Sequence, residues 1–159
     1  MSNTSLSPQT VSPEATPGAL IPSLINITKY GRALLDLQLQ EISFRSGQDH
    51  ILMTLEPDGD PVLVSHIANK VGVRDSTVSK MLDRLENRGL VHRGADESDR
   101  RHTTVVLTSE GKTVRKDVQM LWENIEAYIL KNHAAEADEL RRGTAELDKL
   151  LTQRLGRLR

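Results

Sequence analysis

Residues 62–91 contain two short runs of helical periodicity separated by a turn at Gly72. The first run, "VLVSHIANKVGV", has apolar residues at helical spacing, and the glycine stands where a helix commonly ends. In the second, "RDSTVSKMLDRLENRGLV", one face is apolar: Val78, Met81, Leu82 and Leu85. The opposite face is polar: Ser76, Thr77, Ser79, Lys80, Asp83 and Arg84. Two helices joined this tightly predict a helix-turn-helix whose second helix has a surface suited to a DNA major groove.

The next segment, "VHRGADESDRRHTTVVLTSEGK", predicts a β-hairpin with a charged tip. Two β-prone runs, Leu90–Arg93 and Thr103–Leu107, flank a tip that ends in Arg100 and Arg101. An arginine at the tip of a β-ribbon beside a recognition helix can reach the adjacent minor groove. Asp99 is close enough in sequence to orient the Arg101 guanidinium through a charge-assisted hydrogen bond. The alternative interpretation is an ordinary polar tip with exposed ion pairs.

Helices are predicted on both sides of this segment. A helix of about twenty residues follows from Leu20, and a second opens at Ser46 with a capping box to Asp49. Thr108 can cap a long helix, which is followed by a last helix rich in leucine. The leucines of that last helix are Leu140, Leu147, Leu150, Leu151, Leu155 and Leu158. The terminal helices carry more apolar surface than a monomer would bury, which predicts a symmetric dimer.

Composition agrees with a mostly helical domain. The chain has 159 residues, 37% hydrophobic and only 3% aromatic, which favours a core of Leu, Ile and Val in packed helices. Cysteine is absent, so disulfides and thiolate chemistry are excluded. Neither a leader pattern nor an apolar run of roughly 18 residues is present, which predicts a soluble, cytoplasmic protein without membrane contact. Residues 1–18 are rich in Ser, Thr and Pro and predict a disordered tail.

Charge is unevenly distributed along the chain. The formal net charge is −1, yet residues 70–115 hold ten basic and seven acidic side chains, a local charge of +3. The remainder of the chain is therefore acidic, and the predicted helix-turn-helix and hairpin form its electropositive part.

These residues resemble the MarR family of winged-helix transcription regulators. The likeness runs from "VSHIANKVGVRDSTVSKMLDRLENRGLVHR" through "DESDRRHTTVVLTSEGK", with matching helix lengths on both sides. It implies a mostly α fold with a small β-hairpin, in which a winged helix-turn-helix lies between N- and C-terminal dimerisation helices. The implied parts are a DNA-binding lobe at 46–108 and dimerisation helices at 19–42 and 109–158, within a single domain spanning 19–159.

The resemblance also assigns roles to residues. It implies a homodimer that binds a pseudo-palindrome in double-stranded DNA, with Arg101 in the minor groove, Asp99 as its orienting partner and Arg100 nearer the phosphates. With the polar face of the second helix, the candidate DNA-binding set is Arg74, Ser76, Thr77, Ser79, Lys80, Arg84, Asp99, Arg100 and Arg101. Many members of the family are repressors that release DNA on binding a small aromatic or phenolic acid. Candidate residues for such a pocket are Tyr30, Arg32, His50, Trp122 and Tyr128.

Other functions are less well supported by the sequence. His92, Asp96, Asp99 and His102 crowd the hairpin, but an exposed tip flanked by arginines is a poor metal site. No nucleophile elbow, phosphate-binding glycine loop or paired-carboxylate cleft is found, so the sequence predicts neither an enzyme nor a cofactor. A winged helix that binds protein instead of DNA is the serious alternative, because fold does not fix function. Such a protein is expected to have an apolar second-helix face or a neutral hairpin tip.

Overall fold

The computed structural model describes residues 18–96, 99 and 101–156, and in that part of the chain six helices accompany one small antiparallel sheet. The elements are α1 (Leu20–Glu41), α2 (Gln48–Thr54), β1 (Val62–Leu63), α3 (Val64–Val71), α4 (Asp75–Asn87), β2 (Val91–Ala95), β3 (Thr103–Leu107), α5 (Ser109–Ile129) and α6 (Ala137–Gly156). The predicted fold class is confirmed. The predictions for residues 1–17, Arg100 and Leu158 lie outside the described residues.

Helices α3 and α4 form the predicted helix-turn-helix. Gly72 ends α3 in the left-handed conformation, with φ of 76°, and its amide donates to the Ala68 carbonyl at 2.9 Å. This glycine cap lets the chain reverse within three residues and begin α4 at Asp75. The helix predicted from residue 62 begins instead at Val64.

The first two residues of that predicted helix form strand β1. The sheet order is β1-β3-β2, and Val62 and Leu63 pair with Val105 and Thr104 of β3. Strand β2 extends to Ala95, beyond the predicted Arg93, and its register with β3 runs from Val91 opposite Leu107 to Ala95 opposite Thr103. Two residues are too few to show an alternating pattern, so the sequence carried no signal for β1.

The predicted capping box at the start of α2 is wrong. Helix α2 begins at Gln48, and its N-cap is Gly47, with φ of 94° and no side-chain cap. Asp49 instead turns inward, where it is almost completely buried and accepts the Gly47 amide at 2.9 Å. Its other carboxylate oxygen accepts the Trp122 indole N–H from α5 at 3.2 Å. Asp49, which matches a capping pattern, thus makes a contact between α2 and α5 that the local sequence does not reveal.

The hydrophobic core lies where α2, α3, α4 and α5 meet the sheet. Its fully buried members include Leu52, Ile67, Leu82, Val105 and Val118. Burial of this apolar surface is the main driving force that holds the helix-turn-helix against the hairpin and against α5.

Helix α5 is fixed to the base of the hairpin. The predicted cap is confirmed, since the Thr108 hydroxyl accepts the Gly111 amide at 2.9 Å. The same hydroxyl donates to the Gly89 carbonyl at 2.6 Å, and the Thr108 amide donates to the Leu90 carbonyl at 3.1 Å. Thr108 therefore joins the start of α5 to the turn before β2.

The two terminal helices leave large apolar side chains exposed. Of the residues in α1, Leu39 alone is buried, near the helix end. The exposed side chains of α1 include Ile21, Ile25, Ile27 and Leu37, and those of α6 include Leu140, Leu150, Leu151 and Leu155. Isolated exposed apolar residues are ordinary, but stripes along two helices indicate an interaction surface. None of the helices within the described residues has the combination of length and hydropathy that a membrane span requires.

Candidate nucleic-acid interface

Helix α4 places its polar face outward, as the sequence predicted. Its buried side chains are Val78, Leu82 and Leu85. On the outer side Arg74, Ser76, Lys80 and Arg84 are exposed, and Thr77 and Ser79 are half-buried. The N-cap residue Arg74 has an extended backbone, and its side chain makes no capping hydrogen bond. Asp75 lies in the first turn of the helix. An acid there favours the helix dipole but would repel a phosphate.

The hairpin tip holds Arg101 in one orientation. The Arg101 Nε donates to Asp99 Oδ1 at 3.0 Å and its terminal nitrogen donates to Oδ2 at 2.8 Å, while the Arg101 backbone amide also donates to Oδ1 at 3.0 Å. These bonds lower the pKa of Asp99 and raise that of Arg101. The Arg101 side chain is still 88% exposed, so it remains available to another molecule.

The tip is closed by its own backbone. The Asp96 amide donates to the His102 carbonyl at 3.0 Å, and the His102 amide donates to the Asp99 carbonyl at 2.9 Å. The Asp99 amide in turn donates to the Asp96 carboxylate at 3.0 Å. The hydrogen bonds of the loop thus fix the position of Asp99, and Asp99 in turn orients the Arg101 guanidinium.

A second contact, between α4 and the hairpin, escaped sequence reasoning. Arg93 in β2 donates from Nε to Glu86 at 2.8 Å and also bonds Asp83, both on α4. The sequence placed Asp83 on the open polar face, but its carboxylate forms an ion pair with Arg93. Hydrogen bonding to Asp83, and then to Glu86, raises the pKa of Arg93 against the effect of burial. The acids at i and i+3 near the end of a helix, followed by a basic residue in a strand, were the available signal.

A groove of about 240 Å³ separates the start of α4 from the hairpin. Its lining includes Asp75 and Ser79 of α4, and Arg93, Arg101 and His102 of the hairpin. Of the predicted DNA-binding residues, this groove brings Ser79 of α4 and Arg101 of the hairpin together. Among the described residues no group of three or more acidic or histidine side chains is arranged to hold a metal ion, at the hairpin or elsewhere.

A larger cavity of about 450 Å³ lies between α1, α2, α4 and α5. Three of the five residues predicted for a ligand pocket line it: Arg32, His50 and Trp122. The other two, Tyr30 and Tyr128, are 63% and 70% exposed and lie outside this lining, so their part in a ligand site stays a prediction.

The His50 and Trp122 rings form the aromatic wall of this cavity and contact each other. The His50 and Trp122 rings meet edge to face, with centroids 5.7 Å apart and planes at 72°. The hydrogen bond from Trp122 to the buried Asp49 fixes the indole. Met81 of α4 also lines the cavity, so a ligand there would touch the same helix that presents the polar outer face.

Helices α3 and α4 are joined by a tight turn, and α4 has a polar outer face. Beside them lies a three-stranded sheet (β1, β2 and β3), which we call the wing. Together these features define a winged helix-turn-helix protein. Residues 45–103 match the model of the MarR family. The match extends from the end of the α1–α2 loop to the start of β3, so it contains the helix-turn-helix and most of the wing. This segment is thus similar to the domain that characterises the MarR family.

Solved structures extend the likeness to the terminal helices. BldR, a transcriptional regulator from Sulfolobus solfataricus, is 26% identical with a TM-score of 0.72, covering 85% of this chain and 94% of BldR. MepR from S. aureus, solved in its DNA-binding conformation, is 23% identical with a TM-score of 0.70, covering 84% and 97%. CouR from Rhodococcus jostii RHA1, bound to p-coumaroyl-CoA, is 19% identical with a TM-score of 0.69, covering 80% and 88%. The fold is that of a MarR-family transcriptional regulator.

Proposed function

We propose that this protein is a sequence-specific regulator that binds a pseudo-palindromic operator in double-stranded DNA as a homodimer and acts as a repressor. The observation that carries the proposal is the Arg101 guanidinium, oriented by Asp99 yet 88% exposed, beside the polar face of α4. Hydroxyl and basic side chains on α4 suit base edges and phosphates in a major groove, and a tip arginine suits the narrow minor groove next to it.

The comparisons support this proposal at the level of fold and family. MepR in its DNA-binding conformation has the same overall fold, and BldR is a transcriptional regulator. In the proposed complex, two α4 helices enter successive major grooves about 10 bp apart, and each wing reaches a flanking minor groove. Occupancy of a promoter by such a dimer would prevent transcription from it.

Fluorescence anisotropy tests the proposal directly. A labelled duplex that covers the upstream region of the protein's own gene is titrated with protein at several salt concentrations, with a scrambled duplex as competitor. We expect binding that prefers the upstream duplex and weakens steeply with salt, because phosphate contacts release counterions. A protein that binds every tested genomic duplex and scrambled DNA equally at all salt concentrations would instead favour the protein-binding winged helix.

The homodimer is expected to form through the exposed apolar faces of α1 and α6. Replacement of Leu151 and Leu155 together by Asp places two charges on the α6 face and should shift the protein from dimer to monomer in sedimentation velocity. Replacement of Lys131 and His133, exposed in the α5–α6 turn, by Asp is the control and should leave the dimer intact. A double Leu variant that stays fully dimeric at micromolar concentration would place the interface elsewhere.

The cavity lined by Arg32, His50 and Trp122 is the proposed site of a small-molecule effector. Arg32 provides a cation for a carboxylate, and the Trp122 and His50 rings provide an aromatic wall. CouR, which shares the fold, was solved with an aromatic acyl thioester, p-coumaroyl-CoA. An aromatic or phenolic acid is therefore the proposed class of ligand.

The tryptophan makes this ligand proposal testable without a label. Trp122 is the only tryptophan of the chain, so its emission reports on the cavity alone. Titration with a panel of hydroxybenzoates and hydroxycinnamates should change that emission saturably for some member and weaken DNA binding in parallel. The Arg32→Ala variant should bind the same acid on the order of tenfold more weakly, since a charge-assisted hydrogen bond is lost. Equal affinity of the wild type and the variant for the acid would show that Arg32 does not bind it.

A further inference from the structure

We propose that Arg93 is a positioning residue that fixes the angle between the wing and the recognition helix α4. The contact consists of Arg93 in β2 with Asp83 and Glu86 in α4, and we call it the wing clamp. Its effect on DNA recognition rests on the proposed function, whereas its effect on the wing itself does not.

The wing clamp holds backbone as well as side chain. One carboxylate oxygen of Glu86 accepts the Arg93 Nε–H at 2.8 Å, and the other accepts the Arg93 backbone amide at 3.2 Å. The Arg93 Nη2 is paired with Asp83 and also lies 2.8 Å from the same Glu86 oxygen as Nε. A side chain that binds the strand backbone limits motion of the strand itself, which an ordinary surface ion pair does not.

The location of Arg93 makes this restraint matter at the tip. Arg93 is the middle residue of β2 and pairs with Val105 of β3, so the hairpin beyond it projects to Arg101. Val91 and Leu107 are buried at the hairpin base, and Val105 of β3, opposite Arg93, is buried as well and pairs with β1. Strand β2 is an edge of the sheet, and none of its residues after Val91 is buried. The wing clamp attaches this outer part of β2 directly to α4.

The arginine of the wing clamp is also more shielded than the arginine at the tip. The Arg93 side chain is 23% exposed, compared with 88% for Arg101. Lower exposure reduces the screening of an ion pair by water and salt. The structure therefore assigns the two arginines different tasks, in which Arg93 sets the geometry and Arg101 remains free to bind.

Neutralisation of the two acids separates this role from simple electrostatics. The Asp83→Asn, Glu86→Gln double variant removes two negative charges beside the proposed DNA surface, so charge alone predicts tighter binding to any duplex. If the wing is no longer fixed, binding to the operator is instead expected to become weaker. We expect operator binding about threefold to tenfold weaker than wild type, with binding to scrambled DNA equal or tighter.

A charge-matched control and a mutant cycle complete the test. Neutralising the exposed acids Glu41 and Asp60 in the same way changes net charge equally and should not weaken operator binding. In the variant that lacks the wing clamp, adding Arg101→Ala should cost much less than it does in the wild type, because the arginine is no longer placed. Additive losses, or an operator bound more tightly than by wild type, would overturn the positioning role.

Hydrogen exchange without DNA keeps the inference independent of the proposed function. Amides of β2 and β3 should exchange faster in the double variant, while the α5 core exchanges as in wild type. Unchanged exchange throughout the wing would refute the wing clamp even if the protein binds its operator. Faster wing exchange in a protein with no operator preference would uphold it and reject the proposed function alone.

Discussion

Replacement of Arg101 by Ala is expected to weaken operator binding on the order of tenfold to a hundredfold while leaving the thermal unfolding temperature unchanged. The side chain is 88% exposed and bonds only its neighbour Asp99 among the described residues, so its removal opens no cavity and breaks no contact with the core. The loss should fall mainly on the preferred duplex, because an arginine in a narrow minor groove reads DNA shape as well as charge. Anisotropy titrations with operator and scrambled duplexes measure both effects.

A matched charge change distinguishes the wing contact from a general loss of basic charge. Arg142→Ala removes an exposed arginine of α6, far along the chain from the wing, and should leave operator affinity within about twofold. Asp99→Asn keeps Arg101 but weakens its orientation, so an intermediate loss is expected. Should Arg101→Ala bind the operator as tightly as wild type, the minor-groove role of the wing would be abandoned.

The elements that sequence reasoning placed correctly are those with a repeating or local signal. Helix α4 shows its buried face every three to four residues, and Gly72 and Thr108 carry end signals that depend only on nearby backbone. The pairing of Asp99 with Arg101 is also local, since the two residues are two positions apart in sequence. In each case the deciding interaction lies within one helical turn or one loop.

The errors share the opposite property. Asp49 matches a capping pattern with Ser46, but its carboxylate is used by Trp122, 73 residues later in the chain. The wing clamp similarly joins two elements that are adjacent in space rather than in the helical repeat. Residue type alone also did not show which ligand candidates share a cavity: Arg32, His50 and Trp122 line one, and the two exposed tyrosines do not. Contacts between elements need the tertiary packing, which periodicity alone does not determine.

The largest effect on folding is expected from Gly111→Ala at the start of α5. A Cβ built there would lie 1.8 Å from the Leu90 carbonyl oxygen and 3.3 Å from a methyl of Leu107. The oxygen belongs to backbone, and it already accepts the Thr108 amide, so it cannot move aside without breaking the junction of α5 with the wing. We expect the free energy of unfolding to fall by about 3 kcal/mol or more, with much of the protein insoluble.

Gly143→Ala in α6 provides the control, because both changes add one methyl group within a helix. Beyond the adjacent residues and the nearby backbone of α6, no described atom lies within 4 Å of the position that the new Cβ would occupy, and alanine is favoured over glycine in a helix interior by about 0.5–1 kcal/mol. Urea denaturation followed by circular dichroism, at one protein concentration for all variants, should therefore show Gly143→Ala equal to or more stable than wild type. Gly111→Ala with wild-type stability would mean that α5 can shift away from the wing, and the close approach at Leu90 would no longer explain why glycine stands there. The expected loss would instead show that the wing and α5 are built as one unit, through a backbone contact that leaves no room for a side chain.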